Sequence, residues 1–561
     1  MFGLLGSLLP LVVVGAIVYG LVSAARRRSS DSTGPTQNAS PVRRLFVYGM
    51  TFAALVVAGI GLTGLIGRIL TTAAARPDTD LAESLALAVV GVPVFLGLAR
   101  WLWRTHVTEP AEARSLAWAL YINGALLVGV GVVIGSAFTL ADNLINGDAA
   151  GEAIAGLIVW SGIWAAHWQA WRRFPPTLVP RAHLWVASAA GLSIAAGAVG
   201  YLIAEALSRL INDAAAAATS DELRMAIAAL VIGAAVWSWH WLGNGLRSVR
   251  DGGWHTYVLI IGVLLSLVVG ISGAAFMLYL VLQWFVGDPG SATAAEHFAD
   301  AAPAIAAAVV GFGVWWYHRS VIGPRTARVR TEVDRVYDYL VAGVSLATVA
   351  TAIGILVLAF FSVITPTDAI GSEGGSVNTL LGAVTALLVG GPMWLVTWRR
   401  IEENADTEER RSPSRRVYLL GIFGVGGAIA FGALIALLVA VFQAALGEGS
   451  GNALAGEIDV PVALLVTTGA AAAYHWVVFR SEREEAAPIA KRDVLLVLGD
   501  GLDVEAIAQR TNTRVMVLHS TTNGGALSAE PDDIVAAIAG AEGERLLVLA
   551  RPGNVEVIPY E

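Results

Sequence analysis

Runs of about 20 or more apolar residues, the length needed to cross a bilayer, alternate along this chain with short polar connections. They predict thirteen spans, near 3–24, 45–70, 84–103, 115–140, 153–171, 184–210, 223–243, 255–286, 301–318, 336–363, 378–398, 417–444 and 461–479. From the second span on, the spans pair into six helical hairpins. Each starts at an arginine- and aromatic-marked end and returns to a Trp/His/Arg-marked end. Four returning ends carry histidine: IWAAHWQAWRR (163–173), VWSWHWLGNGLR (236–247), VWWYHRSVIGPR (314–325) and AAAYHWVVFR (471–480). Two, FLGLARWLWRTH (95–106) and MWLVTWRR (393–400), keep tryptophan and arginine and place Arg100 and Thr397 at the landmark position. The landmarks recur roughly every 70–80 residues, about two spans plus connections.

The connections sort by charge. One set carries Arg43/Arg44, Arg100/Arg104/Arg114, Arg172/Arg173/Arg181, Arg247/Arg250, Arg325/Arg328/Arg330/Arg335 and the arginines of 399–416. The other carries acids, among them Asp78/Asp80/Glu83, Asp142/Asp148/Glu152, Asp213/Asp221/Glu222, Asp288/Glu296/Asp300 and Glu448/Glu457/Asp459. Arginine is retained on the cytosolic side, so the pattern predicts a multi-pass protein of a bacterial inner membrane. Its N-terminus lies outside and its C-terminus in the cytosol. Segment 3–24 reads as a retained anchor helix, because no positive charge precedes it and Arg26–Arg28 follow it.

This gives an all-α polytopic membrane protein with a small C-terminal α/β domain. The divisions are an anchor at 1–28, a linker at 29–42, four-helix membrane units at 43–175, 176–325 and 326–480, a charged linker at 481–491, and a cytosolic domain at 492–561. Within that domain, Val494–Leu498, Arg514–Leu518, Arg545–Ala550 and Val555–Ile558 read as strands. Asp503–Arg510 and Asp532–Gly540 read as helices, which together make a βαβ-like core closed by a terminal hairpin.

Composition narrows the chemistry. Apolar residues make up 56% and charged residues 14%, outside the range of soluble domains. The chain has no cysteine, so disulfides, thiolate catalysis and cysteine-bound metal clusters are excluded. The hydrophobic centres of the spans carry no ionisable residue, which argues against a transporter built on midplane carboxylates. Pro93 and Pro392 interrupt returning spans in related register and leave a broken-helix transporter open. Acids Glu83, Glu152, Glu222 and Asp300 read as helix caps. Gly131/Gly135, Ser193/Gly197 and the series Gly59, Gly61, Gly64 and Gly67 read as close-packing faces within the bundle.

The residues with chemical potential are His167, His240, His318 and His475 with Trp168, Trp241 and Trp476. Imidazoles on neighbouring helices can ligate haem or a transition metal. Tryptophans flanking them are equally the composition of an interfacial aromatic belt, and the belt is the expectation. In the tail, Gly499-Asp500-Gly501 sits between a strand and a helix, where a glycine turn can hold an anion. Asp500 and Asp503 repel phosphate there, and no complete phosphate-binding motif is present. No catalytic, cofactor-binding or metal-ligating set is identified.

The repeated ends also resemble an uncharacterised bacterial membrane family, domain of unknown function 5671, in tandem copies. The resemblance rests on Arg44/Tyr48, Arg114/Trp118, Arg181/Trp185 and Arg335/Tyr339 at the starts, and on His167-Trp168, His240-Trp241 and His475-Trp476 at the returns. It implies four-helix units over 43–480 and supplies no activity to carry over. The expected role is a non-enzymatic membrane scaffold or sensor, with the bilayer and a cytosolic protein as partners and no nucleic acid. A small-solute transporter or channel is the alternative, and a haem-bearing electron-transfer protein the next.

Overall fold

Long helices dominate because the backbone of an apolar segment in lipid must satisfy its hydrogen bonds internally. The computed structural model describes residues 41–71, 78–211, 219–323, 331–364, 375–405, 409–410, 412–446, 451–485, 493–498, 504–511, 513–519, 529–543, 545–551 and 554–560. The expected anchor helix at 3–24 and the turn Gly499-Asp500-Gly501 lie outside them. The chain divides into two compact units, Met1–Ala472 and Ala473–Glu561.

The helices are α1 (Pro41–Leu70), α2 (Asp78–Thr108), α3 (Leu116–Asn146), α4 (Gly151–Arg173), α5 (Ala182–Ile211), α6 (Ser220–Gly245), α7 (Gly252–Phe285), α8 (Ala301–Ile322), α9 (Glu332–Ile364), α10 (Gly375–Glu403), α11 (Pro413–Ala445) and α12 (Gly451–Glu485). They fall on the second to thirteenth predicted spans. Eleven helical segments among the described residues are long and apolar enough to cross a membrane. The chain is a multi-pass membrane protein. Helix α4 falls short of that measure because its 23 residues include four tryptophans, His167 and Gln169.

In the first unit, successive helices pack as pairs: α1 with α2, α3 with α4, α5 with α6, α7 with α8, and α9 with α10. Helix α1 also packs on α4, and α5 on α8. Glycines set the crossings. A methyl group at Gly61 would lie 2.5 Å from the Ala88 nitrogen, and one at Gly91 2.7 Å from that of Ala58, so α1 and α2 meet backbone to backbone. Gly191 and Gly233 do the same for α5 and α6. Of the expected packing faces, Gly59 meets Trp160, Gly64 meets Ser84 and Gly67 meets Glu152. The other two expectations are corrected: Gly131, Gly135 and Gly197 have open space at the Cβ position, and Ser193 is exposed.

Pro93 and Pro392 do not break their helices. Helix α2 runs through one and α10 through the other. The departures from α geometry fall elsewhere, at π-turns Ser238–Gly245 in α6 and Tyr257–Leu265 in α7. Glu222 closes a capping box with Thr219, and Glu152 stands in the first turn of α4. Asp300 makes no side-chain cap bond, and Glu83 lies beyond the first turn of α2.

In the second unit, β1 (Asp493–Leu498), α13 (Val504–Thr511), β2 (Arg514–His519), α14 (Pro531–Gly540), β3 (Arg545–Arg551) and β4 (Asn554–Pro559) form a four-stranded sheet of order β2-β1-β3-β4. Strand β1 is parallel to both neighbours, with Val494 opposite Val515 and Leu546. The β3–β4 hairpin is antiparallel. Leu546, Val548 and Ala550 alternate inward and pack with Ile507 of α13 and with Ile534 and Ile538 of α14. The mixed βαβ-plus-hairpin reading therefore holds. Helix α12 extends to Glu485, past the residue at which the sequence suggests a linker.

Candidate functional site

Polar side chains buried in an apolar bundle must be paired, and the pairings here follow a rule. Arg44 at the start of α1 pairs with Glu112 just before α3, Nε to Oε2 at 3.0 Å. Arg181, just before α5, pairs with Asp251 just before α7, at 3.0 Å. Arg335 in the first turn of α9 pairs with Glu409 just before α11, at 2.9 Å. Each arginine thus ties the start of one helix to the start of the helix two further along.

The acid is locked by the backbone around it. Glu112 lies in a 3-10 turn, Pro110–Arg114, and Ser115, three residues on, caps α3 by accepting from the Trp118 N–H. Glu409 repeats this: Ser412, three residues on, caps α11 by accepting from the Arg415 N–H. Asp251 combines both tasks, one oxygen taking Arg181 and the other the Trp254 N–H at 2.9 Å.

A tyrosine completes two of the three clamps. Tyr48, one turn after Arg44, donates to Glu112 Oε1 at 3.2 Å. Tyr339, one turn after Arg335, donates to Glu409 Oε1 at 2.5 Å. At the corresponding place after Arg181 stands Trp185, whose ring stacks on Tyr257. Beside Tyr339, the fully buried Arg415 reaches the tyrosine hydroxyl at 3.3 Å and Glu402 at 2.7 Å.

The histidines form a second rule. His167 Nδ1 donates to the Ile163 carbonyl at 2.7 Å, which leaves a lone pair on Nε2, and Tyr121 donates to it at 2.9 Å. His318 bonds Val314 the same way and lies 3.4 Å from the Tyr257 hydroxyl. Gly262 makes room for it, since a methyl there would meet the imidazole. His240 bonds Val236 through Nδ1 at 2.8 Å.

The belt expectation needs correction for most of these residues. His167, His240, His318, His475, Trp168 and Trp241 are all buried. They lie inside the packing, where Trp241 donates to Tyr317 and its ring lies tilted 4.6 Å from that of Tyr257. Trp476 alone of the named set is exposed, as are Trp239 and Trp316 outside it. Of the proposed imidazole ligands, His167, His240 and His318 have their Nδ1 atoms on carbonyls and, at His167 and His318, a tyrosine at Nε2.

Two things were missed. The returning end 95–106 does have its histidine: His106 bonds Leu102 through Nδ1 at 2.9 Å and faces Tyr48 across 3.5 Å. It stands six residues beyond the landmark at Arg100, so the fixed spacing passed over it. The acids Glu112, Asp251 and Glu409 were also passed over, although an acid within an arginine-rich connection was the available signal. Between α1, α3 and α5 lies an apolar groove of about 560 Å³, lined by Leu45, Tyr48, Phe52, Tyr121, Gly131 and Val186 among others.

The pattern of the family described as Domain of unknown function (DUF5671) matches residues 3–77, 44–166 and 335–470, together more than half of the chain and consistent with tandem copies. The second and third matches begin at Arg44 and Arg335, the first residues of two clamps. No curated protein and no solved structure matches the chain.

Proposed function

The chain belongs to the family described as Domain of unknown function (DUF5671), and from that premise we propose a non-enzymatic membrane scaffold or sensor that presents its C-terminal α/β domain to a cytosolic protein. In this reading thirteen spans cross a bacterial inner membrane: an anchor, then six hairpins grouped as three four-helix units. The N-terminus lies outside and the arginine clamps lie at the cytosolic ends.

One observation carries the reading. The strongest polar groups of the described bundle are spent on one another, Arg44 on Glu112, Arg181 on Asp251 and Arg335 on Glu409. Such pairs fix helix register and leave little chemistry for a substrate. A solute pathway is supported less, because the groove between α1, α3 and α5 is apolar and its two tyrosines donate to Glu112 and His167. Crosslinking in native membranes tests the proposal, comparing the full chain with one ending at Glu485. A cytosolic protein captured by the full chain and lost from the shortened one is expected. Identical captures would remove the scaffold reading, and solute uptake by proteoliposomes would replace it with transport.

A further inference from the structure

Helices α1, α3 and α5 start at arginine-marked ends and run the same way through the bundle, each followed by a returning partner. The spaces between such helices are filled by returning ones: α4 packs on α3 and α1, α6 on α5 and α3, and α8 on α7 and α5. One space stays open among the described residues. It is the apolar groove between α1, α3 and α5, which follows α3 from Ala117 to Ile134, about 26 Å of helix.

The lining of this groove has the form of a helix-packing face. A methyl group on Gly49 or Gly131 would meet nothing within 4 Å, and one on Gly124 would touch only Phe52, at 3.5 Å. Gly135, one turn beyond Gly131, is equally open. Elsewhere in the bundle, at Gly61, Gly91, Gly191 and Gly233, the backbone of a neighbouring helix covers the glycine. The hydroxyls of Tyr48 and Tyr121 are turned to Glu112 and His167, so the groove offers shape rather than polarity. Small residues one turn apart are the shape that lets a second helix come close, whereas a fluid acyl chain needs no such register.

We propose that segment 3–24, which lies outside the described residues, seats in this groove antiparallel to α1, α3 and α5. The proposal rests on the crossing given above, in which the segment enters from outside and ends in the cytosol. Ala16, Gly20 and Ala24 recur every four residues, which gives a helix one small face to set against Gly124 and Gly131. Arg26–Arg28 end the segment on the side of Arg43 and Arg44, where the groove begins at Leu45. Residues 25–40 then lead into α1, itself a wall of the groove. They reach on the order of 50 Å when extended, whereas packed helix axes lie about 8–10 Å apart. The family pattern matches 3–77 as one stretch, and so takes the segment and α1 as one unit.

The natural chain has no cysteine, so paired cysteines introduced into the full chain report contacts directly. Ala16→Cys with Val128→Cys joins positions about 15–18 Å from the arginine ends, and Leu9→Cys with Val132→Cys joins positions about 25 Å from them. A protease site placed within 29–40 separates the segment from the bundle unless a disulfide holds them. After oxidation in native membranes and cleavage, the two fragments should stay joined in both pairs. They should part in Ala16→Cys with Val94→Cys, where Val94 is exposed on α2 outside the groove. Joining through Val94 alone overturns the proposal, as do disulfide-linked dimers of the chain, which would seat a second copy in the groove. Ser7→Cys, treated in spheroplasts with an impermeant maleimide, checks the crossing separately. Labelling without either groove disulfide overturns the docking alone, and absence of labelling overturns the crossing and the docking with it.

Discussion

The clamps at the starts of α3 and α11 hold the same three groups, arginine, tyrosine and glutamate, yet wall them differently. Around Tyr48 the remaining space is filled by rings: Trp118 at 6.0 Å and His106 at 6.3 Å between centroids. Around Tyr339 the residue three after the capping serine is Arg415 rather than Trp118. Its guanidinium, fully buried, lies 5.9 Å from the Trp398 ring and bonds Glu402. One clamp thus balances a single guanidinium with one carboxylate; the other needs several acids. The lesson is that the motif conserves geometry, while its charge is balanced locally by whatever the neighbouring turn supplies.

Breaking Glu409 should separate the two clamps most. In Glu409→Ala, Arg335 loses its buried partner and retains the half-exposed Glu332, and Tyr339 loses the carboxylate it donates to, a loss on the order of 3–5 kcal/mol. Thermal unfolding in detergent should show the largest drop of the series, and a melting point near that of the natural chain would refute this account of α11. Glu112→Ala should cost less, about 1–3 kcal/mol, because the Arg44 side chain is 23% exposed and water can take over part of its solvation. If both variants melt alike, the difference in charge balance is not what distinguishes the clamps.

The two capping serines should differ slightly. Ser115→Ala is expected to lose about 1 kcal/mol and Ser412→Ala somewhat more, because Ser412 Oγ also donates to Glu332 at 3.2 Å, both measured by the same unfolding; equal losses would mean that this second bond contributes nothing. The smallest effect is expected from Arg415→Trp, which remakes the α11 clamp in the image of the α3 one. Replacing a buried ion pair with packed apolar groups is often near neutral, and Glu402 is 41% exposed and can be hydrated. A change within about 1 kcal/mol is expected, and a loss matching Glu409→Ala would show the two walls are not interchangeable.

Much of this was readable in advance. Hydrophobic run length located the helices α1–α12, and short apolar runs bounded by turn residues located the four strands of the tail. Arg44, Arg181 and Arg335 were marked with their following aromatics. Their partners were not. Glu112, Asp251 and Glu409 are 68–74 residues away along the chain, and no local pattern says which charge meets which. Glycine spacing misled for a related reason: Gly131 and Gly135 have the motif, but α3 turns that face away, while Gly61 and Gly91 make the close crossing.

The amino-acid sequence by itself determined that long apolar helices dominate the chain, where they lie and where arginine gathers, since these depend on transfer free energies summed along a local stretch. Only the tertiary structure decided which side of each helix faces its neighbours, and with it that the histidines and most of their tryptophans lie inside. Rotation about a helix axis is settled by packing against other helices, an interaction no single segment contains.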